Sequence, residues 1–217
     1  MISFPLGLDA FFAGLPVSSC SFRLPESLQI EETGGGEIIA ADLGTRLWEG
    51  EVTLAADYHD ALAGAEAVLS VLRDAGASFL AFPLHKPGPA LDPYGFILGE
   101  SVPLIASLPT ARSLILSGLP AGYVLSPGDY MAFGYGAAPA RMALHQFVTG
   151  GQADSSGLTP QLAVTPAIRP GAAIGAAVQL IRPALRARYV PGSYRSAGYS
   201  KMIGQGPSFA FRQTLRA

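Results

Sequence analysis

Between Ser113 and Ile181 short apolar segments are cut at close intervals by turn-forming clusters: Ser126-Pro127-Gly128-Asp129, Gly150-Gly151, Asp154-Ser155-Ser156-Gly157 and Arg169-Pro170-Gly171. Proline presets φ for a reverse turn and glycine supplies the positive φ that other residues avoid, so each cluster turns the chain back. Segments this short, reversed this often and without a helical run between them, pair edge to edge into sheets and bury their apolar faces where the sheets pack or close on themselves. The expected fold is mainly β: an antiparallel β-barrel or sandwich, split-barrel-like, with one flanking α-helix.

The same reading places strands along much of the rest of the chain. Cys20–Leu24 and Leu28–Glu32 have strand character, and Gly34-Gly35-Gly36 before Ile38-Ile39 marks a hairpin turn. From Leu47 to Ala55 the alternation sets Trp48, Gly50, Val52 and Leu54 on one face and Leu47, Glu49, Glu51 and Thr53 on the other, a strand with one buried and one wet side. Further candidates are Ser78–Phe82, Val102–Ser107, Ser113–Gly118, Tyr123–Ser126, Tyr130–Tyr135, Arg141–Thr149, Gln161–Thr165, Val178–Ile181, Ala184–Tyr189 and Ser208–Thr214. The helix covers about 57–76: Asp57 is the expected N-cap, Leu62, Ala65, Val68, Leu69 and Leu72 recur at helical spacing, and Gly76 is the expected stop. One β-rich domain over 1–217 is expected, with an extended N-terminal arm at 1–19 and a C-terminal arm at about 190–217. Pro83–Pro93, carrying His85, Lys86 and Asp92, reads as a long irregular loop that contacts a neighbouring subunit or serves some chemistry.

Charge limits what the surface can do. Charged residues make up 14% of the chain, against roughly 25% in an average soluble protein, so partners are expected to cover part of the surface. The net charge of −2 conceals a division, because every acidic residue beyond position 110 is either Asp129 or Asp154, while most arginines lie there. The two halves either pack against each other within one molecule, or the acidic face of one copy meets the basic face of the next in a head-to-tail ring. No apolar run reaches the roughly 18 residues of a membrane span, and the first residues lack the pattern of a signal peptide. Membrane insertion is therefore not expected, and the expected setting is a cytosol. The single Cys20 forms no internal disulfide and reads as a small buried hydrophobe.

Catalytic patterns are not found. His59, His85 and His145 form no metal-ligand pair, no Gly-x-Ser-x-Gly elbow occurs, and the three glycines at 34–36 are not followed by a phosphate-binding helix. Glu49 and Glu51 could flank a groove as paired carboxylates, but a wet β-face carries such pairs routinely. Arginines at 182, 186, 188 and 195 with Lys201 interleave with Tyr189, Tyr194 and Tyr199, a pattern open to two readings: nucleic-acid tracking, or a tail that meets the acidic half of the same or an adjacent chain. No catalytic residue, metal site or cofactor is expected.

Residues 112–182 carry a likeness in the order of their motifs: Leu125-Ser126-Pro127-Gly128-Asp129-Tyr130, then Leu144-His145-Gln146-Phe147-Val148, then the Asp154–Gly157 turn and Leu162-Ala163-Val164-Thr165-Pro166-Ala167-Ile168-Arg169. This order resembles minor tail proteins of long-tailed bacteriophages and of the related gene transfer agents of bacteria, of the distal-tail or tail-hub kind. There a Lys/Ser-x-Gly-Asp-Tyr turn opens a strand, a His-x-Val strand follows and a Pro-x-x-Arg closes the next. The resemblance implies a ring, hexameric in that family, that joins the tail tube protein to the tail hub or tip protein in a virion tail assembled in the host bacterial cytoplasm. DNA would pass through the lumen without specific binding, past an acidic or neutral wall. Candidate lumen or subunit-interface residues are Glu49, Glu51, Asp57 and Asp60, with Arg182, Arg186 and Arg188 on the basic side. The alternative is a carbohydrate-binding β-sandwich for host-surface adsorption, which needs Trp48 with Tyr94 or Tyr135 exposed as a platform.

Overall fold

The computed structural model describes residues 3–137 and 140–216. Among the described residues the chain is mainly β with one α-helix, and its strands form a half-barrel and a nearly closed barrel. The half-barrel is a five-stranded antiparallel sheet built from both ends of the sequence, in the spatial order Val17–Arg23, Glu49–Leu54, Ser208–Gln213, Leu185–Tyr189, Phe79–Ala81. The barrel is a six-stranded antiparallel sheet built from the middle of the chain, in the order Val178–Gln179, Tyr130–Tyr135, Arg141–Phe147, Leu162–Thr165, Ser113–Ser117, Leu104–Thr110. Its two outer strands meet at the bridge Leu104↔Ala177, supported by Ile105 N–H to the Ala176 carbonyl at 3.0 Å and Val178 N–H to the Pro103 carbonyl at 2.8 Å. Joining the edges in this way removes most of the open ladder that would otherwise invite foreign strands.

The barrel segment is inserted into the half-barrel. The chain leaves the five-stranded sheet at Ala81 and re-enters at Leu185, and these two residues are register partners. Two hydrophobic cores result, with one wall in common. Along Tyr130–Tyr135 successive side chains point to opposite faces: Met131 and Phe133 fill the barrel, whereas Tyr130 and Ala132 join the half-barrel core. Leu144 on the paired strand also faces the half-barrel. A strand buried on both faces does not show polar alternation, which is why Tyr130–Tyr135 reads as large and small rather than apolar and polar.

Trp48 stands at this wall. It is 2% exposed, donates its indole N–H to the Leu144 carbonyl at 2.8 Å, and packs edge-on against Tyr130 at 5.6 Å between ring centres. The expected alternation holds, with Trp48, Gly50, Val52 and Leu54 buried and Glu51 exposed. Gly50 is required by close approach: a Cβ there would lie 2.4 Å from the Ser21 carbonyl oxygen and 2.5 Å from the Phe211 ring. That ring belongs to an aromatic cluster with Phe12, Phe22 and Phe79.

Three expectations are corrected. The helix spans His59–Leu72, and Asp57 does not cap it; its carboxylate accepts the N–H of Tyr58, and Asp57–Tyr58 instead pairs as a short strand with Ile203 and Gly204. A bridge to a residue far along the chain overrides the local capping signal. The N-terminal arm ends earlier than 19, because the first strand begins at Val17; before that it docks on its own chain, with Leu6 bridging to Phe79 and Phe11 and Phe12 in the core. Nor is the C-terminal end an arm, because Ser208–Gln213 is the middle strand of the five, between Glu49–Leu54 and Leu185–Tyr189. Gly76 does follow the helix with positive φ (+92°), and Cys20 is half-buried, with burial pushing its thiol up to about 11.

Candidate functional site

The residues nominated from sequence fall into separate groups. Glu49 lies on the open face of the half-barrel, in a row of directly opposed partners that crosses four strands: Arg23, Glu49, Arg212, Arg188. Its carboxylate is held by Arg23 at 2.8 Å and Arg212 at 2.9 Å. Glu51 is exposed on the same face, opposite Ser21 and Ala210. The face is therefore mixed in sign, since Glu49 is matched by cations from both ends of the chain. Asp57 and Asp60 belong to a different place, the start of the helix, where Asp60 contacts the His59 ring at 2.9 Å.

The basic group is likewise internal. Arg182 pairs with Asp9 of the N-terminal arm and lies over the Phe82 ring. Arg186 donates to the Ser78 hydroxyl at 3.0 Å, and burial, with Arg188 nearby, lowers its pKa. Tyr194 and Tyr199 both donate their hydroxyls to Glu66 of the helix, at 2.7 and 3.0 Å, while the Arg73 guanidinium covers the Tyr194 ring. Hydrogen bonding from Tyr194 is the leading cause that holds the Glu66 carboxyl below its ordinary range. Of the basic C-terminal residues, Arg182 and Arg212 meet carboxylates of their own chain, Asp9 and Glu49.

The Pro83–Pro93 loop is a built structure and continues to Val102. Asp129, fully buried, forms an ion pair with Lys86 at 2.8 Å and accepts the N–H groups of Ala90 and Ser126 at 3.0 and 2.7 Å. Asp92, 3% exposed, accepts from Leu98 N–H at 2.8 Å, Ile97 N–H at 3.1 Å and the Tyr123 hydroxyl at 3.1 Å. Burial pushes the Asp92 carboxyl up, but these donors outweigh it and hold the group ionised below the usual range. Gly88 lets the loop cross itself, since a Cβ there would lie 2.6 Å from the Pro93 carbonyl oxygen. What this framework presents is apolar: Leu91, Tyr94, Phe96, Ile97 and Val102 are all more than half exposed. The sequence signal was available as a run of large apolar residues from Leu91 to Val102, but the buried carboxylates that anchor it, Asp92 and Asp129, become visible as anchors only in space.

No protein-family model matches the chain, and no curated protein matches it. The geometry therefore carries the reading.

A second exposed feature is the hairpin of Leu28–Glu32 and Ile38–Asp42, whose strands, among the described residues, pair only with each other and whose strand residues are all exposed. Between it and the barrel lies an open groove of about 320 Å³, walled by Asp42, Arg46, Arg112, Pro166, Ile168 and Arg169. Arg46 is fixed by the carbonyls of Leu24 and Pro25, and Arg169 by the Tyr135 hydroxyl and the Arg46 carbonyl.

His145 is a core residue. It stacks on Phe133 at 5.3 Å, and its Nδ1 lies 2.9 Å from the Pro166 carbonyl, so Nδ1 carries the proton. Nε2 is buried and meets no partner among the described residues, an arrangement that suits the neutral ring; burial lowers its pKa to about 4. Among the described residues no group of three or more His, Cys, Asp or Glu is placed to hold a metal ion, and no helix is long and apolar enough to cross a membrane.

Proposed function

We propose that this chain is a structural component of a phage-like virion tail, a ring-forming distal-tail or tail-tip protein that joins the tube to the hub around the DNA conduit. The motif order over 112–182 supports the family reading. The single observation that carries the functional one is the placement of large apolar side chains on two outward features, the 28–42 hairpin and the Leu91–Val102 loop, each held in a defined shape. Exposed apolar patches of this kind mark surfaces that are covered by another protein. The function is then contact: copies close a circle, and the loop meets the ring above or below. Negative-stain electron microscopy of the purified chain should show closed rings with a central opening. Particles that remain single subunits at high protein concentration would overturn the proposal.

One observation favours the adsorption reading. Tyr94 and Phe96, 73% and 86% exposed, lie 6.1 Å apart and could stack on sugar rings. Trp48 and Tyr135 cannot join them, being 2% and 4% exposed. Binding to host-surface polysaccharide that disappears in Tyr94→Ala/Phe96→Ala, with rings intact, would assign that loop to the host.

A further inference from the structure

We infer that the 28–42 hairpin is an assembly arm that docks into the arginine-rimmed groove of a second copy of this chain. This deepens the ring reading proposed above and rests on it. The hairpin register places Leu28, Ile30, Ile38 and Ala40 on one face, with Glu32 and Asp42 at its two ends; Gln29, Glu31, Ile39 and Ala41 lie on the other. Between Arg23 and Arg46 the chain has five carboxylates, Glu26, Glu31, Glu32, Glu37 and Asp42, and no basic residue. None of them enters an ion pair among the described residues. Ile30, Ile38 and Ile39 are each more than half exposed, and a lone two-stranded hairpin is marginal in water. Such an element calls for a partner with an apolar floor and a basic rim.

The barrel presents that surface. Ile168 and Pro170 floor the groove, which continues along Leu108 and Ala172, and Arg46, Arg112 and Arg169 rim it. Arg112 is exposed and forms no ion pair among the described residues. A chain cannot satisfy itself here. Asp42, at the hairpin base, forms part of the groove wall, whereas the Thr33–Glu37 turn lies at the far end, roughly 15 Å away at strand rise. Two unlike, complementary surfaces on one chain produce head-to-tail contacts, which close into a ring when the rotation permits.

The test is the association of the full chain, followed by sedimentation or light scattering across concentration. Glu32→Lys/Glu37→Lys and, separately, Arg112→Glu should each weaken association by at least about tenfold, and both reversals in one chain should recover most of the loss. All the altered side chains are exposed, so thermal melting of the monomer should be unchanged. In a Cys20→Ser background, Glu37→Cys with Arg112→Cys should give disulfide-linked chains in a ladder. Rings that keep wild-type mass and affinity in both reversal variants overturn the docking inference and leave the ring proposal standing. A wild-type chain that never associates overturns both.

Discussion

Trp48 and Ile38 are near neighbours in sequence with opposite fates. Trp48 sits where two cores share a wall, touching Tyr130, Phe22 and the Leu144 carbonyl. Ile38 stands on a hairpin that pairs with no other strand among the described residues, and is 66% exposed. The contrast separates two settings of apolar residues in one chain: the wall buries them where two cores meet, and the hairpin leaves them exposed, as the docking inference requires. Apolar content alone could not distinguish them, because both segments read as β.

The comparison can be broken most directly at the wall. Trp48→Ala removes a ring from the meeting of both cores and orphans a backbone carbonyl; we expect a loss of about 3–5 kcal/mol in urea unfolding, with circular dichroism and tyrosine fluorescence moving together. Separate transitions would mean that the half-barrel and barrel do not share their stability.

A second large effect follows from His145. Its folded pKa lies at about 4, below the ordinary value of about 6.5, so the unfolded chain takes up the proton first as pH falls. Stability is complete above about pH 6.5 and declines toward pH 4, by up to about 3 kcal/mol. Unfolding titrations from pH 7.5 to 4 should show this slope, and His145→Gln, which retains a donor toward Pro166, should flatten it.

Asp129→Ala probes the presenting loop. It leaves the Lys86 ammonium and the Ala90 and Ser126 N–H groups without their acceptor, an expected cost of about 2–3 kcal/mol. Hydrogen exchange should quicken across 86–98 before it does in the barrel strands. The smallest effect belongs to the hairpin. Ile30→Ser/Ile38→Ser should change monomer stability by less than about 0.5 kcal/mol; a loss comparable to that of Trp48→Ala would show that the hairpin is core after all.

Strand positions were legible because local alternation and turn chemistry set them: Tyr130–Tyr135 and the Glu49 strand follow directly from side-chain period. Position within a sheet was not. Ser208–Gln213 becomes the middle strand through partners at 49–53 and 187–189, and nothing in its own sequence names them. The division of charge was visible, yet its resolution depended on the same long-range pairing, which sets Arg212 beside Glu49. The loop's internal framework was hidden for a related reason. Asp92 and Lys86 looked like candidate chemistry, but their partners Tyr123 and Asp129 come from distant segments and turn both into scaffolding.

The adjacency of Ala81 and Leu185 has a consequence for how this molecule can vary. Because the barrel departs and returns through neighbouring rungs of one ladder, the insert behaves as a cassette whose ends are already stitched together. Its size or sequence can drift without re-registering the host sheet. The exception is the panel bearing Tyr130, Ala132 and Leu144, since any replacement must offer the same party wall or leave Trp48 facing water.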